Sequence, residues 1–494
     1  MNTKKGDGFM QLTLPDYVKA AMQMLLESDF EAYVVGGAVR DLFLGKVPDD
    51  YDIVTNARPD EIRLLAAKKH YGLVSQLGQN FGVVMVLVGK KSVEIASYRN
   101  ETYGADAHRP SEVWYCDTLE EDLGRRDFTI NAMAVDIEGH LTDEYSGMED
   151  LNHKILRTVG NADKRFEEDA LRMFRACRFV AQLGFAYDGN IPKAMKNNLK
   201  RVNGLSLERV KVELDKLLCG AYASQGLKLM VGTGLAKESC RVRENKTEEE
   251  IPILPELSAL VGVEQNPAFH QYDVWQHTLE ALNNGDRSLA VSWGILLHDI
   301  AKGQAEVRGY KDGAPTDYGH EIVGAQMAGN ILTRLRYPKE FVNNVTWLVK
   351  NHMRFGTNID RPDEVTWRWL RQEARAGTFR LNKDMAEAFK KLTSLCVADA
   401  SATEASEQEL ISDQMYGKRL VKMAYKMPVH TTDLNINGND LSTIITDKKQ
   451  LACILPILLR RVQDGNLKNE PMELRLAAEG WAVRQKNTQG EQHE

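Results

Sequence analysis

Two neighbouring stretches decide how this chain reads: Tyr33-Val34-Val35-Gly36-Gly37-Ala38-Val39-Arg40-Asp41 and Asp50-Tyr51-Asp52-Ile53-Val54. The first predicts a short strand running through two glycines into a helix. Glycines at such a turn let backbone N–H groups approach phosphates, and the helix N-terminus adds a favourable dipole. In the second, Asp50 and Asp52 are two apart, which on a strand places both carboxylates on one face. Like charges held that close call for a cation, and Mg²⁺ is the usual oxygen-liganded one. A third carboxylate, Glu94, stands in the strand candidate Ser92 to Ser97. Gly89-Lys90-Lys91 joins this to a second candidate, Val83 to Val88, as a hairpin. Metal held by Asp50, Asp52 and Glu94 would lower the pKa of an attacking hydroxyl and stabilise a leaving pyrophosphate. The plain alternative for Asp50-x-Asp52 is a solvated strand edge.

Further motifs follow in order. Arg125-Arg126-Asp127-Phe128-Thr129-Ile130-Asn131-Ala132 comes first, then Asp143-x-x-x-Gly147-x-x-Asp150-Leu151. Glu168-Asp169-Ala170-Leu171-Arg172 leads into Arg175 and Arg178, and Leu205-Ser206-x-Glu208-Arg209-Val210 closes the set. Together with the opening stretches they resemble the class II tRNA nucleotidyltransferases, that is, the CCA-adding enzymes and the bacterial poly(A) polymerases. The resemblance covers residues 33–214. It implies phosphate contacts for Gly36, Gly37 and Arg40, nucleotide contacts for Arg126 and Asp127, and triphosphate or ribose contacts for Arg175 and Arg178. It also implies nucleotide selection by Asp169 and Arg172. Three apart on a predicted helix, those two share a face. Asp supplies acceptors and Arg a donor fork. Cytosine and adenine both offer an exocyclic amino donor beside a ring-nitrogen acceptor, so one fixed pair suits CTP and ATP and rejects UTP and GTP. In the family a loop between Arg99 and Arg125 helps switch from C to A addition, and Asp106 and Arg109 match its charged residues.

A second constellation lies further along. His277, then His298-Asp299 after the apolar run Ile295-Leu296-Leu297, then Asp399, resembles the H…HD…D order of the HD phosphohydrolase superfamily over residues 256–405. Imidazole and carboxylate ligands on packed helices suit a transition metal. His320 and His352 extend the candidate set, and His270 reads as structural.

The rest of the chain frames these sites. It has 494 residues, 43% hydrophobic and 27% charged, which excludes a disordered protein. Six cysteines include no C-x-x-C pair, so neither a zinc knuckle nor a disulfide scaffold is expected. Met1 to Met10 lacks an apolar signal-peptide core, and no apolar run approaches the roughly 20 residues of a bilayer span. A cytoplasmic protein with no membrane partner is expected.

The expected fold class is α+β: a nucleotidyltransferase-fold head with a mixed sheet, then all-helical neck, HD and C-terminal modules. The expected boundaries are 1–160 for the head, 161–235 for a neck that selects nucleotides and binds RNA, 236–425 for the HD domain, 426–485 for a helical body and 486–494 for a frayed tail. Polar, acidic residues 236–254 and the stretch 426–438 read as linkers. The net charge is −7, from 63 Lys and Arg against 70 Asp and Glu. Residues 151–211 nevertheless hold 13 basic and 6 acidic residues, a local +7 that leaves −14 elsewhere. A basic neck between acidic modules can hold phosphates in one place without coating RNA indiscriminately.

The leading reading is therefore a Mg²⁺-dependent, template-independent nucleotidyltransferase that builds or repairs the 3′-terminal CCA of tRNA from CTP and ATP. Poly(A) polymerase and split A-adding or CC-adding enzymes share these motifs. An HD-type metal phosphohydrolase with a vestigial head, and a catalytically silent RNA-binding protein, are alternatives of other classes. The sequence leaves the oligomeric state open.

Overall fold

The structure, a computed structural model, describes residues 12–74, 82–103, 110–244 and 247–490. The Asp106 and Arg109 loop lies outside them. The chain divides into two compact units at Ala259/Leu260. Among the described residues, no helix is long and apolar enough to cross a membrane.

The N-terminal part of the first unit has nine strands among the described residues: β1 (Tyr33–Val35), β2 (Asp52–Thr55), β3 (Gly72–Leu73), β4 (Val83–Val88), β5 (Lys91–Ser97), β6 (Arg99–Tyr103), β7 (Pro110–Tyr115), β8 (Ala134–Val135) and β9 (Leu141–Thr142). Seven form one sheet in the order β3-β4-β5-β2-β1-β8-β9. β2 and β5 run parallel and the other pairings are antiparallel, so the sheet is mixed. The β4–β5 hairpin turns where Gly89 and Lys90 lie. Val35, Val54, Tyr98, Leu123, Ala132 and Ala134 pack into one buried cluster that joins the sheet to the following segments. Strand β2 begins at Asp52, so Asp50 lies just before the strand rather than in it.

The neck follows as helices Ala162–Glu168, Leu171–Leu183, Asn190–Asn198, Leu207–Leu218 and Ala223–Thr233. Leu171–Leu183 is buried at ten of its thirteen positions, including Arg172 and Arg178. Gly226 lets helix Ala223–Thr233 press against it, since a Cβ there would lie 2.4 Å from the Cys177 carbonyl oxygen.

The 236–254 linker expectation is corrected. Ser239–Glu244 and Thr247–Pro252 form an antiparallel pair in the first unit. The acidic run reads as linker because only Ile251 of its strand is buried. Across the pair, Arg241 and Arg243 neutralise Glu248 at 3.2 and 3.1 Å.

Among the described residues the second unit is helical, with one hairpin, Arg308–Lys311 with Ala314–Asp317. Helix Leu289–Leu297 is apolar nearly all round and almost wholly buried, as expected of a central core helix. Helices Val274–Asn284, Lys339–Asn358 and Asn382–Ser401 pack against it. The 426–438 stretch is packed rather than a free linker. Leu434 and Ile436 join a core with Leu441, Ile454, Leu458 and Leu474, and Asp433 accepts backbone N–H bonds from Asn382, Val429 and His430. The last helix, Pro471–Gly490, runs on past the expected start of fraying at 486.

Candidate active site

In the first unit one open cleft of about 910 Å³ is lined by Gly36, Gly37, Arg40, Asp50, Asp52, Glu94, Arg126, Asp127, Asp169, Arg172, Arg175 and Arg178, while Asp106 and Arg109 lie outside the described residues. Asp52 on β2 sits in register beside Glu94 on the parallel strand β5. Asp50 reaches the same cleft from the preceding turn. Burial, then repulsion from Glu94 and Asp50, pushes the Asp52 carboxyl up to about 6, with Arg126 pulling the other way. An acidic set so short of counter-charge fits a divalent cation.

The opposite wall is basic, and its side chains are held by a continuous network. Arg40 Nη1 donates to Asn131 Oδ1 (2.8 Å), and Asn131 Nδ2 donates to Asp127 Oδ1 (3.1 Å). Arg175 Nε donates to Asp127 Oδ2 (2.7 Å). Burial would raise Asp127, but Arg175 and the Asn131 bond outweigh it and hold the carboxyl at about 2. Asp127 thus works as a fixed anion that aims Arg175. The Arg-Asp-Phe-Thr-x-Asn motif ties three elements of the cleft together through this network. Gly36 has φ +74°, and a Cβ there would come within 3.2 Å of Arg126 Nη1, so glycine suits both the backbone and the space at this point of the cleft.

Asp169 and Arg172 both line the cleft, but not as neighbours on one helix. Asp169 has extended backbone and separates Ala162–Glu168 from Leu171–Leu183. Its Oδ1 accepts the Leu171 N–H (2.9 Å) and its Oδ2 accepts from Arg209 Nη2 (3.2 Å). Arg172 donates instead to Glu168 (2.6 Å) and to the Arg125 carbonyl (2.7 Å). The two groups are clamped separately, which fixes an acceptor and a donor fork independently of any base. The broken helix is the part of this that periodicity hides.

Arg178 is buried against Glu213, Nε to Oε2 3.2 Å, and burial pushes it down to about 10. Three residues in contact with the cleft's arginines escaped the sequence reading: Glu213, Asp122 and Phe179. Asp122 is fully buried and pairs with Arg125 (2.7 Å) and Arg126 (3.0 Å). Spacings of three and four residues on one helical turn were its available signal. Asp122→Ala is expected to cost about 3 kcal/mol in urea unfolding, because two arginines lose a shared, desolvated partner. A loss below about 0.5 kcal/mol would mark both pairs as solvent-screened.

The second unit brings together all six residues of the H…HD…D reading. His277 Nε2 lies 2.9 Å from Asp399 Oδ1, and His298 Nε2 is 3.3 Å from Asp299 and 3.5 Å from Asp399. His320 Nε2 is 3.2 Å from both Asp299 Oδ1 and His352 Nε2. The four Nδ1 atoms face backbone carbonyls of Ala402, Ile295, Asp317 and Val349. With Nδ1–H donated to those carbonyls, the four Nε2 atoms would be left to face a metal. His298 Nε2 is buried and makes no hydrogen bond. Burial holds His352 down at about 4. Burial would also lower His298, yet Asp299 and Asp399 raise it to about 10, so the cluster demands positive charge at its centre. Lys302 adds a contact the sequence reading passed over, Nζ to Asp299 Oδ2 at 2.8 Å.

Residues 32–157 match the poly A polymerase head domain, residues 184–239 the probable RNA and SrmB-binding site of polymerase A, and residues 269–402 the HD domain. Residues 32–157 thus resemble a poly A polymerase head domain, and an HD-domain match follows further along the same chain. Curated relatives include CCA-adding enzymes of Lactobacillus helveticus, 42% identical over 46% of this chain and 56% of that protein, and of Bacillus pumilus, 39% identical over 47% and 57%. The chain thus spans little more than half the length of these relatives. The crystal structure of the Bacillus stearothermophilus CCA-adding enzyme in complex with CTP aligns over 97% of this chain and all of that chain, with TM-score 0.62 and 25% identity. The Thermotoga maritima CCA-adding enzyme complexed with tRNA, 19% identical at TM-score 0.53 over 97% of this chain and all of that one, shares the fold. The poly A polymerase head match takes in Gly36 to Asp150, and the HD match takes in every histidine and aspartate of the second cluster. Both families generally use divalent metals, and the histidine and aspartate set of the second unit fits that chemistry.

Proposed function

We propose that this chain adds or repairs the 3′-terminal CCA of tRNA, using CTP and ATP and releasing pyrophosphate. The observation that carries the reading is one cleft whose lining brings Asp50, Asp52 and Glu94 together with Arg40, Arg126, Arg175 and Arg178 and with Asp169 and Arg172. Asp50, Asp52 and Glu94 would hold Mg²⁺, which when bound favours ionisation of the attacking 3′-hydroxyl and offsets charge on the leaving group. The chain's own part is placement. Arg40, Arg175 and Arg178 take the triphosphate, Arg126 faces the acidic set, and Asp169 with Arg172 reads the Watson–Crick edge. Catalysis by such a site is positioning and charge neutralisation. A tRNA substrate accords with a cytoplasmic location.

The deciding experiment supplies tRNA lacking its 3′ end with each NTP singly, then with CTP and ATP together. Growth by three nucleotides only when both are present is the expected result. Long adenylate tails would instead mark a poly(A) polymerase, and addition of only C or only A a split-activity enzyme.

A second activity is favoured by the four converging Nε2 atoms, and we infer a phosphohydrolase centre in the HD domain. The expected resident is a transition metal held by His277, His298, Asp299 and Asp399, with His320 and His352 extending the set. The double variant His298→Ala, Asp299→Ala should bring the metal content of the purified protein to background by elemental analysis. Metal content equal to wild type would remove this centre.

A further inference from the structure

Phe179 stands on helix Leu171–Leu183, in the wall of the head cleft, and is only 4% exposed. Three guanidinium groups surround its ring. The central carbon of Arg178 lies 4.2 Å from the ring centroid, that of Arg40 5.2 Å and that of Arg175 5.6 Å. Their other anchors differ: Asn131 and Asp41 for Arg40, Asp127 for Arg175, Glu213 for Arg178. The ring is shared by all three. Its orientation is set from behind by Phe128, edge-to-face at 5.5 Å and 81°.

Three like charges gathered in one wall repel one another. An aliphatic residue in this position would fill the space but give the guanidinium groups nothing to face. An aromatic ring presents negative potential on its faces, and the attraction grows where water is excluded. The cationic side chains can then stay grouped before an anion arrives, so less of the binding energy goes into ordering them.

We propose that Phe179 is a positioning residue for polyphosphate: its ring groups Arg40, Arg175 and Arg178 into a cradle for the triphosphate tail shared by CTP and ATP. The proposal rests on the nucleotidyl-transfer reading above and deepens it. Because the cradle meets only the phosphates, it contributes equally to both nucleotides and leaves base choice to Asp169 and Arg172.

The test replaces Phe179 in the full chain with phenylalanines of increasing fluorination, which drain the ring face of negative potential at nearly constant shape. The probe is inorganic tripolyphosphate, titrated calorimetrically, alongside the KM for CTP and for ATP. Affinity should fall stepwise, by about tenfold at full fluorination, with both KM values rising together and kcat unchanged. Phe179→Leu should match the fully fluorinated form, and Phe179→Trp should restore binding. A flat series in folded protein, or wild-type protein that does not bind tripolyphosphate, overturns the proposal. If tripolyphosphate affinity follows fluorination while wild type incorporates no nucleotide, the cradle stands and the nucleotidyl-transfer reading fails.

Discussion

Asp52→Asn should lower nucleotide incorporation by about a thousandfold or more while leaving tRNA binding close to wild type. The exchange keeps the side chain's shape and removes one anionic ligand from the acidic set. The same variant should melt higher than wild type in chelator at neutral pH. Asp52 is lifted from 3.8 to about 6 by burial, Glu94 and Asp50, so the folded chain binds this proton more tightly than the unfolded chain. Its ionisation therefore destabilises the metal-free fold as pH rises from about 4 through about 6, and the full penalty persists above that window. Relief on the order of 2 kcal/mol is expected at pH 7, vanishing below about pH 4. Calorimetric melts of both proteins across that range, with a primer-extension assay, check the two halves together. Retained incorporation by folded Asp52→Asn protein would sink the catalytic assignment. An unchanged melting point would show that the acidic set is not under electrostatic strain.

The second large effect is on base choice. Asp169→Ala combined with Arg172→Ala should reduce preference for CTP and ATP over UTP and GTP by about a hundredfold or more, read as kcat/KM for each nucleotide. A site built to hydrogen-bond a base edge rejects the wrong base because buried groups are left unpaired. The structure adds a graded control. Arg209 braces Asp169 at 3.2 Å without belonging to the pair, so Arg209→Ala should loosen discrimination less than the double variant does. If the double variant still rejects UTP and GTP as wild type does, selection lies elsewhere in the cleft.

Much of both sites is legible from residue order alone. The strand at Val34, the glycine turn and the β4–β5 hairpin carry local signals, because apolar alternation and turn chemistry act over a few residues. The histidine and aspartate set was legible for a different reason: the order of His277, His298-Asp299 and Asp399 resembles that of the HD superfamily. Local signals misled where neutralisation or packing came from a distance. The acidic run Glu248-Glu249-Glu250 reads as solvated, yet Arg241 and Arg243 lie across the strand pair from it. Asp169 reads as helical by spacing, yet its side chain captures the Leu171 N–H and Arg209, and the helix breaks there.

The amino-acid sequence by itself determined the α+β class, the order of the modules and the chemical type of each candidate residue. These follow from periodicity, turn residues and side-chain chemistry, which are properties of short segments. Only the tertiary structure decided which groups act on one another. Glu94 meets Asp52 because β2 and β5 pair in parallel, and Asp127 aims Arg175 across 48 positions of chain. Phe179 shows the limit most plainly. In sequence it is one apolar residue among several on a buried helix. Folding brings Arg40 from another element to its ring beside Arg175 and Arg178, and an electrostatic role appears that exists only once those charges converge.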